Sequence, residues 1–213
     1  MMNEEKYYYN FIKKEYNFLA FFYDIITIPF CGLRDKIVNY ANLKKGSKVL
    51  DIATGTGGQV YAFLKKGYNA IGIDLSEAMI KIAKKKNRHL KANFLIADSK
   101  NLPFKDNSFD ISSISFALHE MPLSIREKTL KEIVRVNNSN GLIIIVEFSL
   151  TKMIFGRFFI NYFIKLFEGK FYSDFIKSDF YGLLRKNGIE IIEEIPIMSG
   201  AIKILKGKKK FSR

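Results

Sequence analysis

The stretch KVLDIATGTGG, residues 48–58, decides the fold: a short run of β-forming residues carries an acid and opens directly into a glycine-rich turn. The chain beyond it keeps one rhythm. Gly57 to Lys66 reads as a helix, NAIGID (69–74) as a strand, Ser76 to Lys86 as a helix, and ANFLIA (92–97) and FDISSISF (109–116) as strands. Ser124 to Val136 then reads as a helix and GLIIIVEF (141–148) as a strand. Strands and helices taking turns build an α/β domain, a parallel sheet with helices on both faces, and unbroken Val, Leu and Ile runs suit strands buried on both sides. Ser76 stands where it can cap the helix after Asp74, and Gly141 where a helix running through RVNNSN would stop. A further helix is expected from Ser173 to Lys186, with Gly188 as its stop and IEIIEEI and GAIKILKG as a closing hairpin. Ahead of Lys48 lie two helical stretches, Glu4 to Thr27 and Leu33 to Ala41, parted by Pro29 and Gly32.

Three successive strands end at acids, Asp51, Asp74 and Asp98, along the carboxyl edge where open α/β sheets bind ligands. Any one of them reads equally well as a helix cap or a surface residue, and a lone glycine turn as a tight connection. Together they are hard to assign to packing, because acids at buried strand ends are costly unless something polar binds there. Asp74, nineteen positions after Gly55, can accept both hydroxyls of an adenosine ribose. A dinucleotide is disfavoured by the glycine spacing, since the third position of G-x-G-x-x-G counted from Gly55 is Val60. It is disfavoured by charge too. Asp51 at the mouth of the turn would repel a pyrophosphate yet attract the ammonium and sulfonium of S-adenosyl-L-methionine.

The chain has 213 residues, 48% hydrophobic and 26% charged, which fits a single folded domain. The lone Cys31 gives neither a disulfide framework nor a cysteine metal cluster, so a reducing cytoplasm is the expected setting and no metal is expected. The opening MMNEEKYYYNFIKKEY lacks the basic-then-apolar pattern of an export signal. The apolar windows Phe18–Leu33 and Met153–Phe167 are interrupted by polar and charged residues and fall short of the roughly 18 uncharged residues of a membrane span. A net charge of +14, densest from Lys206 to Arg213, favours anionic partners without choosing between nucleic acid and an acidic membrane surface. Lys filling exposed positions explains the same charge.

VLDIATGTGG, AIGIDLSEAMI, IADSKNLPFKDNSFDISSISFALHEM and LKEIVRVNNSNGLIIIVEF resemble, in order and spacing, the motifs of the class I S-adenosylmethionine-dependent methyltransferases over roughly residues 45 to 150. Ala53 in place of a more usual glycine and the closing MSGAIKILKGKK resemble the ubiquinone/menaquinone biosynthesis C-methyltransferase group, with its type 11 methyltransferase domain. The resemblance implies a Rossmann-like seven-stranded sheet, mostly parallel with the last strand antiparallel. It implies that Asp51, Ala53, Thr54, Gly55, Thr56 and Gly57 hold the methionine part of the cofactor and Asp74 the ribose. Leu75, Met79, Ala97, Asp98 and Ser99 would surround the adenosine end, with Asp98 and Ser99 at the adenine, and Phe116 would face the transferred methyl. The stretch Ala117-Leu118-His119-Glu120 departs from the short basic and polar stretch usual in the quinone enzymes, which puts the acceptor in question.

Methyl transfer needs an in-line acceptor, exclusion of water, and a base only where the nucleophile carries a proton. His119, just past the fourth strand, is the candidate base, against the plainer reading that it packs beneath the loop before Pro122. His89, within KKKNRHLKAN, reads as a surface residue. Paired apolar residues from Ile154 to Phe167 form an aromatic helical stripe, which could join Phe18, Leu19, Phe22 and Ile25 as a lid over a greasy acceptor. The chain is thus expected to be one domain, 1–213. Within it, helices in 1–45 contribute to an acceptor lid, 46–148 form the cofactor core, 149–172 an apolar insert, and 173–213 the closing helix and hairpin. A small lipophilic acceptor, most simply a quinol ring methylated on carbon, suits these features, with peripheral contact at the inner membrane surface. The alternatives are N- or O-methylation of a phospholipid head group or another metabolite, a nucleic-acid methyltransferase, and a cofactor-binding protein without catalysis. Nucleic acid is disfavoured by the absence of an Asn-Pro-Pro-aromatic motif after the fourth strand.

Overall fold

The computed structural model describes residues 4–90, 92–149 and 170–210. The stripe from Ile154 to Phe167, the basic residues Lys152, Arg157 and Lys165, and the end of the basic tail lie outside the described residues. Seven strands form one sheet: β1 (Lys48–Ile52), β2 (Asn69–Asp74), β3 (Asn93–Ile96), β4 (Phe109–Ser115), β5 (Asn137–Phe148), β6 (Ile189–Ile197) and β7 (Ile202–Lys209), in the order β3-β2-β1-β4-β5-β7-β6. Among the described strands only β7 runs antiparallel to its neighbours, pairing with β5 on one side and β6 on the other. The mostly parallel sheet and the closing hairpin are therefore as expected. Strand order reverses between β1 and β4, which places a crevice at their carboxyl ends.

Helices cover both faces. On one, α4 (Cys31–Ala41), α5 (Gly58–Lys65) and α6 (Glu77–Lys86) pack Ile37, Val60, Phe63 and Ile80 against Val49, Ile111 and Ile144. On the other, α1 (Glu4–Phe11) and α7 (Leu123–Val136) bring Tyr8, Ile125, Leu130 and Ile133 to Leu50, Ile52 and Ile114. The alternate residues of β1 thus feed two apolar layers, as the period of a strand requires.

Three boundaries differ from the sequence reading. The helix read as Ser124 to Val136 does end at Val136, but its continuation through RVNNSN to Gly141 does not form, and residues 137–140 already belong to β5. Two polar bonds explain it: buried Asn137 accepts from Ser112 Oγ at 3.0 Å and Asn138 donates to Asp110 at 2.6 Å, so β4 captures both asparagines. The helix expected from Ser173 to Lys186 is two, α8 (Tyr172–Lys177) and α9 (Phe180–Lys186), because Asp179 accepts from the Gly182 N–H at 2.8 Å and starts a new helix. The first stretch is broken into α1, a π-helical turn (Ile12–Tyr16), α2 (Asn17–Leu19) and α3 (Tyr23–Ile26). Ser76 caps α6 as expected, accepting from the Met79 N–H at 3.3 Å.

Candidate active site

After β1 the chain turns sharply, with Ala53, Gly55 and Gly57 in the left-handed region at φ 54°, 56° and 79°. Glycine is required at 57 for a second reason. A Cβ there would stand 2.7 Å from the Phe94 ring. The turn is pinned by the Thr54 N–H on the Ile73 carbonyl at 2.9 Å and by the Gly55 N–H, which donates to Asp74 Oδ2 at 2.8 Å. The other Asp74 oxygen accepts from the Ser76 N–H at 2.8 Å. Asp74 thereby clamps the two turns that leave β1 and β2, and burial holds its carboxyl above the ordinary value.

Two clefts meet over this turn, sharing the wall made by Tyr23, Ala53, Ser115 and Phe116. The first contains Asp51, Thr54, Thr56, Gln59 and Arg34; the second contains Gly55, Asp74, Leu75, Tyr8, Tyr16 and Glu120. Asp51 is 2% exposed and accepts from Thr54 Oγ1 at 2.6 Å, and burial pushes its carboxyl up to about 7. A buried acid on a cavity wall is set for a cationic ligand, which would restore its ordinary ionisation.

The remaining expected cofactor residues are less alike in their surroundings. Met79 is fully buried beneath the site, and Ala97 donates its N–H to the Asp74 carbonyl at 3.0 Å. Asp98 accepts from Tyr9 Oη at 2.7 Å and from the Lys100 N–H at 3.1 Å, and Ser99 shares a hydrogen bond with Thr129 at 2.9 Å. Neither is among the residues that line the two cavities. Thr56 donates to Asp24 at 2.6 Å. Phe116, at φ 52°, packs against Phe30 and Phe148 with ring centroids 5.5 and 4.9 Å away.

His119 and Glu120 share a 3-10 turn (Leu118–Glu120) and face opposite ways. His119 Nδ1 lies 2.6 Å from Glu147 Oε2, and its ring is surrounded by Phe148, Tyr172 and Phe175. The other Glu147 oxygen accepts from the Ala117 and Leu118 N–H groups at 3.2 and 2.8 Å. His119 thus braces the turn beneath the site and does not line either cavity. Glu120 does line the second cavity. It accepts a hydrogen bond from Tyr16 Oη, and burial pushes its carboxyl up to about 7 although His119 and Tyr16 both pull it down.

Sequence reasoning missed Arg34, Tyr16, Tyr23 and the direction of Glu120. The first three come from the segment ahead of β1, which folds over the glycine turn: Tyr16 reaches Glu120, Ser76 Oγ donates to Asn17 at 3.1 Å, and Tyr23 lies against Gly55. Asp24 bridges Thr56 and Lys86, the latter at 2.7 Å. The acids, the glycine turn and the paired cavities fit S-adenosylmethionine: a buried carboxylate, Asp51, lines one cavity and a second, Asp74, the other.

Solved structures share this architecture. A methyltransferase from a complex with the Trm112 methyltransferase activator of Haloferax volcanii superposes with a TM-score of 0.75 at 16% identity, covering 95% of this chain and 99% of that one. A SAM-dependent methyltransferase of Methanosarcina mazei gives 0.64 at 22% identity, covering 83% and 98%. Among relatives by sequence, the ubiquinone/menaquinone biosynthesis C-methyltransferase UbiE of Bdellovibrio bacteriovorus is 32% identical over 84% of this chain and 76% of its own length. The demethylmenaquinone methyltransferase of Paenarthrobacter aurescens is 38% identical over 53% of this chain and 43% of its own. The chain spans about half the length of the demethylmenaquinone methyltransferases it matches. The family model described as the ubiE/COQ5 methyltransferase family matches residues 6–196. This chain therefore belongs to the ubiE/COQ5 methyltransferase family.

Proposed function

We propose that the chain is an S-adenosyl-L-methionine-dependent C-methyltransferase acting on a demethylated quinol ring. The observation that carries this reading is the pair of cavities at the β1–β4 crevice, one with Asp51 and the other with Asp74 and Glu120, in a chain of this family. When bound, the cofactor supplies a methyl group made electrophilic by its sulfonium. Glu120, held by Tyr16, takes the proton of the ring hydroxyl, so that the neighbouring ring carbon becomes the nucleophile. As the carbon–methyl bond forms, the sulfur–methyl bond breaks and a neutral thioether leaves; the carbon then loses its own hydrogen as a proton to solvent, and the ring oxygen regains its proton from Glu120, restoring the aromatic quinol. His119 acts one step back, bracing the turn through Glu147. Phe116, Phe30 and Phe148 form an apolar wall that keeps water from the reacting atoms.

A lipophilic acceptor also calls for a surface that meets lipid. Phe18, Phe21, Phe22, Ile25 and Ile28 are exposed, Phe21 to 80%, beside the exposed Lys13 and Lys14. Apolar burial together with attraction to anionic head groups binds such segments to an interface. The chain accordingly works in the cytoplasm, with peripheral contact at the inner membrane surface. No helix among the described residues is long and apolar enough to cross a membrane.

A second reading is favoured by Glu120 itself, since a carboxylate at the acceptor side also suits the ammonium of a phospholipid head group. Incubation with methyl-labelled cofactor and a short-chain demethylmenaquinol, an aminophospholipid or RNA separates the readings. Label on a ring carbon of the quinol supports the first, label on the lipid nitrogen supports the second, and label in RNA removes both.

A further inference from the structure

We propose that Arg34 is the carboxylate anchor of the cofactor site, gripping the amino-acid end of S-adenosylmethionine while Asp51 faces its ammonium. The assignment rests on the reading of the two cavities as that cofactor's site. Arg34 lines the first cavity together with Asp51, Thr54, Thr56 and Gln59. Its guanidinium lies so close over Gly58, the first residue of α5, that a Cβ there would stand 2.5 Å from Arg34 Cζ. A cation against the start of a helix meets the positive end of the peptide dipoles, an arrangement that gains nothing until an anion joins them.

No protein group among the described residues supplies that anion. The guanidinium makes a hydrogen bond to Thr27 Oγ1 at 3.2 Å, and the neighbouring Asp24 is already held by Lys86 at 2.7 Å and Thr56 at 2.6 Å. Asp51 shares the cavity with Arg34 and feels its field, yet the two do not pair; Asp51 is bound to Thr54 instead. One cavity therefore presents a cation and an anion that are not bonded to each other. A phosphate or a simple carboxylate would meet Asp51 as a like charge, whereas a zwitterionic amino acid satisfies both walls. The planar fork of a guanidinium suits a carboxylate in particular. The direction of the whole cofactor is then set: amino-acid end in the first cavity, adenosine end toward Asp74, and the sulfonium at the shared wall of Ala53, Ser115 and Phe116.

Calorimetric titration with S-adenosylhomocysteine and with methylthioadenosine, which lacks the amino-acid end, tests the assignment on the full chain. In the wild type the first ligand should bind more tightly than the second. Arg34→Gln should weaken S-adenosylhomocysteine by about 10- to 100-fold, the loss of hydrogen bonds between charged groups, and leave methylthioadenosine within about 2-fold. Arg34→Lys should recover part of the loss. Retained methylthioadenosine binding reports that the variant is folded. Equal losses for both ligands, or unchanged affinity for S-adenosylhomocysteine, would overturn the proposal. A wild type that binds neither ligand would overturn the cofactor reading on which it rests.

Discussion

His119 and Glu120 are adjacent in the chain and opposite in surroundings, one braced against Glu147, the other facing a cavity. Glu120→Gln should lower turnover about 100-fold, the usual scale of general-base catalysis, with S-adenosylhomocysteine affinity nearly unchanged. His119→Ala should instead cost roughly 2 kcal/mol or more in chemical denaturation, because Glu147 is left with a buried oxygen unmet. If Glu120→Gln works normally while a conservative His119→Gln is inactive yet stable, the roles are reversed. Asp74→Ala should weaken S-adenosylhomocysteine about 10- to 100-fold by calorimetry, since it removes charge-assisted bonds to the ribose. The place of Asp51 and Asp74 at the carboxyl edge of the sheet was legible because each ends or nearly ends a strand of unbroken apolar residues. Which of His119 and Glu120 would line a cavity was not, because a single short 3-10 turn decides which of the two neighbours faces it. Arg34 carries no local signal at all; only the packing of α4 on α5 brings it to the turn.

The element that departs most from its sequence pattern is the segment ahead of β1. A continuous helix from Glu4 to Thr27 would rotate its inner face steadily, yet the π-helical turn at Ile12–Tyr16 adds a residue to the turn and keeps Tyr8, Ile12 and Tyr16 on the second cavity. Its outer side carries Phe18, Phe21 and Phe22. Replacing Phe18 and Phe21 together by Ser should reduce flotation with anionic vesicles, and wild-type binding should fall with added salt. Flotation equal for wild type and variant, or unaffected by salt, would remove the membrane-surface reading. Strands were the most legible elements, because residues buried on both sheet faces read as apolar runs. Helix ends were less so: Asn137, Asn138 and Asp179 are decided by partners on β4 or by a cap inside an apparently unbroken helix.

At the scale of the molecule, the site stores buried acids. Asp51 and Glu120 both have carboxyls pushed up to about 7 by burial, from unfolded values of 3.8 and 4.5. Between those limits the folded chain holds protons that the unfolded chain has released, so stability contributed by these two groups falls as pH rises from about 4 to about 7. Ligand-free protein should show that trend in melting temperature. The stabilisation conferred by S-adenosylmethionine should grow over the same interval, because its cationic groups favour ionised Asp51; a ligand shift independent of pH would contradict the placement. The sheet carries another consequence in its strand order. β7 lies between β5 and β6 yet is the last of the seven to be synthesised. Until residues 202–209 leave the ribosome, Ile143, Ile144, Ile145 and Val146 of the nascent chain present an unpaired edge, and β6 has no neighbour to hold it. A strand edge left open in this way invites pairing with other chains, so a polypeptide stopped near residue 200 should aggregate where the longer chain closes its sheet.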